Sequence, residues 1–254
     1  MTAKLRVIDT GLRSARWNFA MTAALAELHR RGQAPDSLRF MFFVPSVSVG
    51  RHQSLAREVR LERCRARGVE TARRITGGGA IYMDPGMLAW EIVTGRRRFA
   101  GGLPEATERL CGGVAAGLAR MGIPARVRAP ADVEAGGRKI CGSAGYFDGQ
   151  TLVLQGTVLV DFEIADMADA LATADRGALT SRVTSIATLI GRVPPMAEIE
   201  NCLLAGWSEI PGLAFSWGTP STGEMELTAR LLAAEIGTDA FVAGAEHLQP
   251  AYTQ

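Results

Sequence analysis

The sequence has little lysine and no long run of one charge, and both absences narrow the class of protein. Of its 28 basic residues, 26 are arginine, and only Lys4 and Lys139 are lysine. The formal net charge is +2, and the longest run of like charge is Arg96-Arg97-Arg98. Bulk electrostatic attraction to nucleic acid is therefore not indicated, and we expect no nucleic-acid partner.

Paired cysteines and long apolar runs are also lacking. Cys64, Cys111, Cys141 and Cys202 are widely spaced, with no CxxC pair. This spacing argues against a zinc site or a disulfide framework and suits a reducing compartment. No apolar segment approaches the ~18 residues that span a bilayer, and the N-terminus has no apolar signal core. The sequence predicts a cytoplasmic protein with no membrane segment.

Strand and helix patterns alternate along the 254 residues. Apolar and β-branched stretches predict strands at residues 5–9, 38–44, 46–51, 69–74, 80–83, 87–93, 125–129, 131–135, 138–144, 151–161 and 213–217. Amphipathic stretches predict helices at residues 15–32, 57–67, 104–122, 163–172, 196–208 and 223–236, the first capped by Ser14. This order predicts an α/β (α+β) fold, in which helices flank a mixed, largely antiparallel central sheet.

A stretch of three glycines, "RRITGGGAIY" at residues 73–82, joins one predicted strand to the next. It matches neither G-x-G-x-x-G opening a helix nor the P-loop pattern. Each glycine in a strand context costs roughly 0.5–1 kcal/mol relative to alanine, so the run favours close approach of a ligand to bare backbone. Arg73 and Arg74 add guanidinium groups that recognise phosphate. An ordinary tight bend or bulge is the alternative interpretation.

The second glycine-rich stretch, "GGRKICGSAG" at residues 136–145, contains Lys139. Strand alternation predicts that Lys139 and Cys141 share one face and that Arg138 and Ile140 share the other. An ammonium is a compact point charge that a planar guanidinium does not replace, so a lysine in so arginine-rich a chain is a candidate site residue. If this stretch lies against the first glycines, the two would form a cleft suited to an acyl phosphate.

Long motifs in matching order resemble the lipoate–protein ligase family, within the wider group of biotin ligases, lipoate ligases and octanoyltransferases. The resemblance is carried by "RWNFAM" (16–21), "SVSVGRHQ" (46–53), "ARRITGGGAIYMDPG" (72–86), "GRKICGSAG" (137–145), "LQGTVLVD" (154–161) and "SRVTSI" (181–186). It implies a catalytic domain like that of biotin and lipoate ligases at residues 1–195. We expect residues 196–254 to form a helical tail packed on the same domain, with no full accessory domain.

The resemblance also implies a reaction. Lipoate or octanoate would react with ATP and Mg²⁺ to give an acyl adenylate, and a lysine of a carrier protein would then take the acyl group. The carrier would be a lipoyl domain or a glycine-cleavage-type protein, and a separate small accessory protein is a possible further partner.

By that resemblance Lys139 is the catalytic residue, bridging the acyl carbonyl and the α-phosphate. Asp132 is the candidate ligand of Mg²⁺ or contact of the adenine side. The other positions carried over for the nucleotide are Arg74, Gly77, Gly78, Gly79, Ser143 and Ala144. Those for the acyl substrate are Arg51, Ala80, Tyr82, Gly142, Gln155 and Gly156.

Two other functions stay open. One is an octanoyl or lipoyl transferase that forms a thioester and needs no ATP; its nucleophile would lie near Leu152 or just before "ADVEA", where this chain has no cysteine. The other is a homologue that binds an acyl nucleotide or a lipoylated protein without turnover. The chain also departs from the family pattern on the presumed acyl and acceptor side. These departures are Thr22, Ala23, Met83, Met87 and Gln155.

Overall fold

The computed structural model describes residues 4–173 and 175–244. The strands are β1 (Leu5–Arg13), β2 (Ser37–Phe43), β3 (Ser46–Val49), β4 (Glu70–Arg73), β5 (Ile81–Met83), β6 (Met87–Gly95), β7 (Ala125–Arg128), β8 (Asp132–Ala135), β9 (Arg138–Asp148), β10 (Thr151–Leu159) and β11 (Phe215–Trp217). The helices are α1 (Ala15–Arg30), α2 (Leu55–Glu58), α3 (Leu61–Ala66), α4 (Gly102–Arg120), α5 (Ile164–Ala170), α6 (Arg176–Arg182), α7 (Ile186–Ile190), α8 (Met196–Ser208), α9 (Thr222–Ala234) and α10 (Asp239–Ala243). None of these helices is both long enough and apolar enough to cross a bilayer.

The strands form one large and one small sheet. The large sheet has the order β11-β1-β2-β6-β10-β9-β8-β7, and the small one has the order β4-β3-β5. In the large sheet β1 runs parallel to β2 and β11, and every other neighbouring pair is antiparallel. The predicted fold class, a mixed and largely antiparallel sheet with flanking helices, is confirmed.

Among the described residues, two large apolar clusters and a smaller third one hold these layers together. On one side of the large sheet, Trp90 packs edge-on against Trp207 of α8, with ring centroids 5.2 Å apart. The second cluster joins both sheets to α1 and α5, and its members include Phe19, Phe43 and Tyr82. The glycine run lies between β4 and β5, at the edge of this second cluster.

The prediction of one continuous helix at residues 57–67 is wrong, because the structure has two short helices there. Val59 pairs with Leu171 in an isolated bridge, and the N–H of Arg60 donates to the carbonyl of Ala170 at 2.9 Å. These long-range bonds split the segment into α2 and α3. The short helices α6, α7 and α10 were not predicted, because five to seven residues carry too little periodic pattern.

The residues after 195 return to several parts of the fold. β11 pairs with β1 at the edge of the large sheet, α8 packs on α4, and α9 packs on α1. The division of the chain at residue 195 stays a prediction, and residues 245–254 of the predicted tail lie outside the described residues.

Glycine allows α4 and α8 to come into backbone contact. A Cβ built on Gly117 would lie 2.8 Å from the carbonyl oxygen of Cys202, whereas one on Gly112 meets nothing within 4 Å. We expect Gly117→Ala to lower the free energy of unfolding by about 1–3 kcal/mol, because rigid backbone must shift. Gly112→Ala, in the same helix, should raise it by up to about 1 kcal/mol. Urea denaturation measures both, and equal effects would contradict the contact.

We expect the free energy of unfolding to depend on pH because of Glu200, a buried carboxylic acid on α8. The residue is 7% exposed, and burial, with a smaller contribution from Asp9, raises its pKa to about 7. Since the pKa is higher in the folded state, the stabilising contribution is present below the unfolded pKa and is lost as pH rises through about 7. Glu200→Gln should therefore gain about 1–3 kcal/mol over the native protein between pH ~4 and pH ~8, measured by denaturant titration. A difference that does not change with pH would contradict this assignment.

Candidate functional site

A cavity of about 520 Å³ opens beside the second apolar cluster. Its apolar lining includes Phe19, Met41, Phe43, Ala80, Ile81, Tyr82, Met83, Ala89, Leu159 and Met167. Its polar lining includes Ser48, Arg74, Thr76, Arg128, Glu134, Lys139, Ser143, Gln155 and Arg182. The cavity therefore offers an apolar surface and a charged surface to one occupant, a combination typical of sites for small amphipathic molecules.

The two glycine-rich stretches meet at this cavity. Gly78 and Gly79 line it together with Gly142 and Ala144. Gly78 has a φ of +89°, and a Cβ built there would lie 3.4 Å from the Cβ of Ala144 and 3.1 Å from a guanidinium nitrogen of Arg74. Glycine is needed at this position for its backbone angle and for its lack of a side chain.

Arg74 holds the shape of the glycine run. Its guanidinium donates to the carbonyls of Gly77 at 2.8 Å and Gly79 at 2.7 Å, and to Ser48 Oγ at 3.2 Å. Burial lowers the pKa of Arg74 to about 10. Its predicted role as a phosphate contact stays a prediction, while these bonds make it a clamp on the loop.

Arg73 fixes the shape of the loop after β3 in the way that Arg74 fixes the glycine run. It is fully buried, and its guanidinium donates to the carbonyls of Gly50, Arg51 and Gln53 at 2.7–3.1 Å. The N–H of Arg51 donates in turn to the carbonyl of Thr76 at 2.9 Å. Arg51, predicted to contact substrate, is thus tied to the glycine run through its backbone, and its side chain is not part of the cavity lining.

Lys139 faces the cavity because of a β-bulge. Val133 pairs with Cys141 and Glu134 pairs with Lys139, so Ile140 is an extra residue in β9. The prediction that Lys139 and Cys141 share a face is therefore wrong, since Cys141 and Ile140 both lie in the first apolar cluster. The lysine side chain lies across Gly142, where a built Cβ would be 2.4 Å from Nζ.

The "SRVTSI" segment anchors the backbone of Lys139. Val183 pairs with Lys139 in a parallel bridge, and the N–H of Thr184 donates to the carbonyl of Lys139 at 2.9 Å. The backbone of the lysine is therefore held between two partners, and its side chain extends to the lining of the cavity.

Charges alternate around Lys139. Its Nζ lies 2.7 Å from Asp132 Oδ1, Arg128 Nη2 lies 2.7 Å from Asp132 Oδ2, and Arg128 Nε lies 2.7 Å from Glu134 Oε1. Both oxygens of Asp132 thus face cations, and among the described residues no three acidic, histidine or cysteine side chains could hold a metal ion together. The described side chains therefore form no preformed cage for Mg²⁺, which is usually held by one or two carboxylates and the phosphates of its substrate, and the role of Asp132 toward Mg²⁺ stays a prediction.

Gln155 forms the floor of the cavity and is fixed by buried bonds. Its amide nitrogen donates to Thr22 Oγ1 at 3.0 Å and to Glu91 Oε2 at 2.9 Å, and its oxygen accepts from Thr76 Oγ1 at 3.0 Å. Gly156 beside it lets the ring of Trp90 approach, since a Cβ there would lie 2.4 Å from that ring. The predicted substrate contact at Gln155 therefore presents an amide whose nitrogen is already occupied.

Three other predicted residues border the cavity. Tyr82 is buried, and burial raises its pKa to about 12. Ser143 Oγ donates to the carbonyl of Ala131 at 2.9 Å, which holds β9 to the turn before β8. Ala80 and Tyr82 contribute to the apolar part of the lining. The structure thus brings these positions together, and their roles toward a substrate stay predictions.

None of the cysteines lines this cavity within the described residues. Cys64, Cys111 and Cys141 are buried, and burial raises the pKa of each thiol. Cys202 lies on α8, and burial raises its pKa as well. A thiol with a raised pKa and no access to the cavity is a poor nucleophile there.

Several lining residues escaped the sequence analysis. Glu134 lies two positions after Asp132 in β8, so strand alternation could have found it. Thr76 directly precedes the glycines and could have been included with them. Met41, Phe19 and Arg128 had no local signal, because only the packing of distant elements brings them to the cavity.

Comparison with known proteins gives matches across most of the chain. Residues 14–208 match the family described as lipoyl protein ligase A/B catalytic domain. The octanoyltransferase LipM of Symbiobacterium thermophilum is 29% identical, over 94% of this chain and 98% of that protein. Two solved structures, each 24% identical, share the fold. They are a bi-partite lipoate protein ligase from Thermoplasma acidophilum (TM-score 0.87, covering 97% of this chain and 99% of that one) and lipoate-protein ligase A bound with ATP (TM-score 0.85, covering 96% and 100%).

The two possible roles of Arg74 can be separated by substitution. A lysine cannot reach both glycine carbonyls and Ser48, so we expect Arg74→Lys to lower the free energy of unfolding by about 2–3 kcal/mol. The exposed Arg57, changed to lysine in the same way, should leave it unchanged. Denaturant titration measures stability, and calorimetry measures nucleotide binding. Full stability with lost ATP affinity would instead identify Arg74 as a phosphate contact.

Proposed function

Because the chain belongs to the family of the lipoyl protein ligase A/B catalytic domain, we propose that it is an ATP-dependent ligase for lipoate or octanoate. It activates the acid as an acyl adenylate and transfers the acyl group to a lysine of a lipoyl carrier protein. The observation that carries this proposal is a cavity that contains the ammonium of Lys139 and no cysteine among its described lining residues. Activation in such a site depends on positive charge and not on a thiol.

The apolar lining supports a medium-chain acid. Phe19, Met41, Phe43, Met83 and Leu159 belong to one apolar cluster and all face the cavity. Methionine side chains adapt to irregular shapes, so this surface accepts a flexible chain or a ring that contains sulfur. An octanoyl or lipoyl tail would bury against it and leave its carboxylate toward the charged part of the lining.

The charged lining supports the activation step. The carboxylate attacks the α-phosphorus of ATP, its oxygen forms the new P–O bond, and pyrophosphate leaves. Negative charge on the phosphate and on the acyl carbonyl is then stabilised by Lys139, which is 38% exposed and follows the substrate on a flexible stem. Mg²⁺ would enter with the nucleotide phosphates, and no step here depends on a protein ligand to it.

In the second step, the amine of a carrier lysine attacks the acyl carbonyl, forming an amide and releasing AMP. The ammonium of Lys139 again stabilises the charge on the carbonyl oxygen. The acceptor is a lipoyl-domain or glycine-cleavage-type carrier.

A thioester-forming octanoyltransferase is the second candidate, because LipM of Symbiobacterium thermophilum matches nearly the whole chain. That chemistry needs a thiolate that reaches the acyl group. Cys141 is the cysteine nearest to Lys139 in sequence, and it is fully buried in the other apolar cluster. The geometry therefore favours the ligase.

The test is pyrophosphate release with ATP, Mg²⁺ and octanoate or lipoate. We expect release with the native protein and with Cys141→Ala, and a loss of at least about 100-fold with Lys139→Met, because the charge in the transition state is unmet. Lys139→Arg should be similarly impaired, since a planar fork displaces the charge. Circular dichroism of each variant checks that the fold is kept.

Octanoyl transfer from an acyl carrier protein without ATP, abolished in Cys141→Ala, would overturn the proposal in favour of the transferase. Failure of both reactions, with retained binding of the acid, would support a binding homologue. Mass measurement of lipoyl-domain candidates after incubation would identify the acceptor.

A further inference from the structure

A second cavity, of about 460 Å³, lies away from the first. Thr151 and Gly95 line it, at the end of β10 and the paired end of β6, whereas Gln155 and Ala89 of the same strands line the first cavity. Four residues of β10 separate Thr151 from Gln155, which is roughly 13 Å at about 3.3 Å per residue. No described residue lines both cavities.

Two unusual features of the sequence meet at this second cavity. Lys4 is one of only two lysines in the chain, and Arg96 and Arg97 belong to the longest run of like charge. All three line the cavity, together with Arg30 and His29. In a chain whose net charge is only +2, this is a local concentration of positive charge that the proposed reaction does not use.

Asp36, whose carboxylate lines the cavity, is already paired with a cation. Asp36 Oδ2 accepts from Arg98 Nε at 2.8 Å, and its Oδ1 lies 2.8 Å from His29 Nε2. Although burial opposes it, hydrogen bonding to His29 and Arg98 holds the pKa of Asp36 below its usual range. Asp36 therefore stays ionised, and its charge is engaged by Arg98 outside the lining.

Three cations of the lining have no such match. In residues 4–173 and 175–244, no salt bridge involves Lys4, Arg96 or Arg97, and all three side chains are exposed. Arg96 lies over the ring of Phe147, with its guanidinium carbon 4.5 Å from the ring centroid. This contact orients the guanidinium plane without neutralising its charge.

The lining also defines the chemistry of the ligand. Among the described residues of the lining, the apolar side chains are those of Ala34 and Pro35, and none is phenylalanine, tyrosine or tryptophan. It therefore offers no extended surface for an acyl chain, and the ring of His29 is held by hydrogen bonds to Thr151 and Asp36 at 2.8 Å each. Guanidinium groups bind phosphate oxygens in pairs, and an ammonium adds a point charge.

We propose that this second cavity binds a small phosphate-type polyanion, of the class of inorganic pyrophosphate, between Lys4, Arg96 and Arg97. The site is separate from the acyl cavity and does not depend on the proposed reaction.

The test is calorimetric titration with inorganic pyrophosphate at constant ionic strength. We expect saturable binding to the native protein and to Lys139→Met, because the acyl cavity is not involved. Lys4→Gln and Arg97→Gln should each weaken the affinity about tenfold. Arg230→Gln, an exposed arginine of α9 with the same change of charge, should leave it unchanged.

Nuclear magnetic resonance locates the bound anion. His29 lines the cavity and is one of three histidines in the chain. Its ring signals should therefore shift as pyrophosphate is added, and the dissociation constant from this titration should equal the calorimetric one. Loss of affinity in Lys139→Met alone, equal losses in Arg230→Gln and Arg97→Gln, or no binding of pyrophosphate would overturn the site. Tighter binding of hexaglutamate than of pyrophosphate would overturn the ligand class in favour of an acidic protein segment.

Discussion

The structure around the first cavity depends on one buried ion pair, between Arg39 of β2 and Glu91 of β6. Their side chains are 0% and 1% exposed, and Arg39 Nε lies 2.6 Å from Glu91 Oε1. Burying two charges is favourable only when their other hydrogen-bonding groups are also satisfied. Asn18 and Thr22 of α1 accept from the remaining guanidinium nitrogens, and Thr22 and Gln155 donate to the other carboxylate oxygen. The need to satisfy this ion pair therefore fixes how α1, β2, β6 and β10 are positioned relative to one another. It also leaves the side-chain oxygen of Gln155 directed toward Thr76.

Arginine fixes the walls of the cavity as well as its floor. Without arginine donors, the partly exposed carbonyls of the glycine run would be left to solvent, and the loop after β3 would leave the carbonyl of the buried Gly50 unpaired, which costs free energy comparable to a lost hydrogen bond. Arg74 supplies the donors for the first, and Arg73 supplies them for the second and for the carbonyls of α10. The glycine run is thereby held at the carbonyls of Gly77 and Gly79, while Gly78 and Gly79 still line the cavity. This explains how a segment with low intrinsic stability forms a defined surface.

The sequence predicts the elements better than their contacts. Period-two alternation located most strands, and the glycines joining β4 to β5 were recognised, because both signals are local. The bulge at Ile140 was not predictable, since it arises where β9 pairs with β8 and moves Cys141 to the opposite face. The clamp by Arg74 was missed for a similar reason: an arginine before glycines suggests a ligand, and only the tertiary structure shows that its donors face the protein's own carbonyls. The buried network of Gln155 likewise needs residues from four distant segments.

The two cavities treat negative charge differently. In the first cavity the ammonium of Lys139 and the guanidinium of Arg128 are both paired with carboxylates, so an anion that enters must compete with Asp132 for the ammonium. That competition is weak, because both side chains are partly exposed and exposed ion pairs are worth about 0–1 kcal/mol. We expect a phosphate, with more charge and more acceptor oxygens, to displace Asp132, which would keep Arg128 as its partner. Lys139 can therefore stay paired until a substrate arrives. In the second cavity Lys4, Arg96 and Arg97 have no carboxylate partner within residues 4–173 and 175–244, so an anion there gains attraction without displacing a described partner.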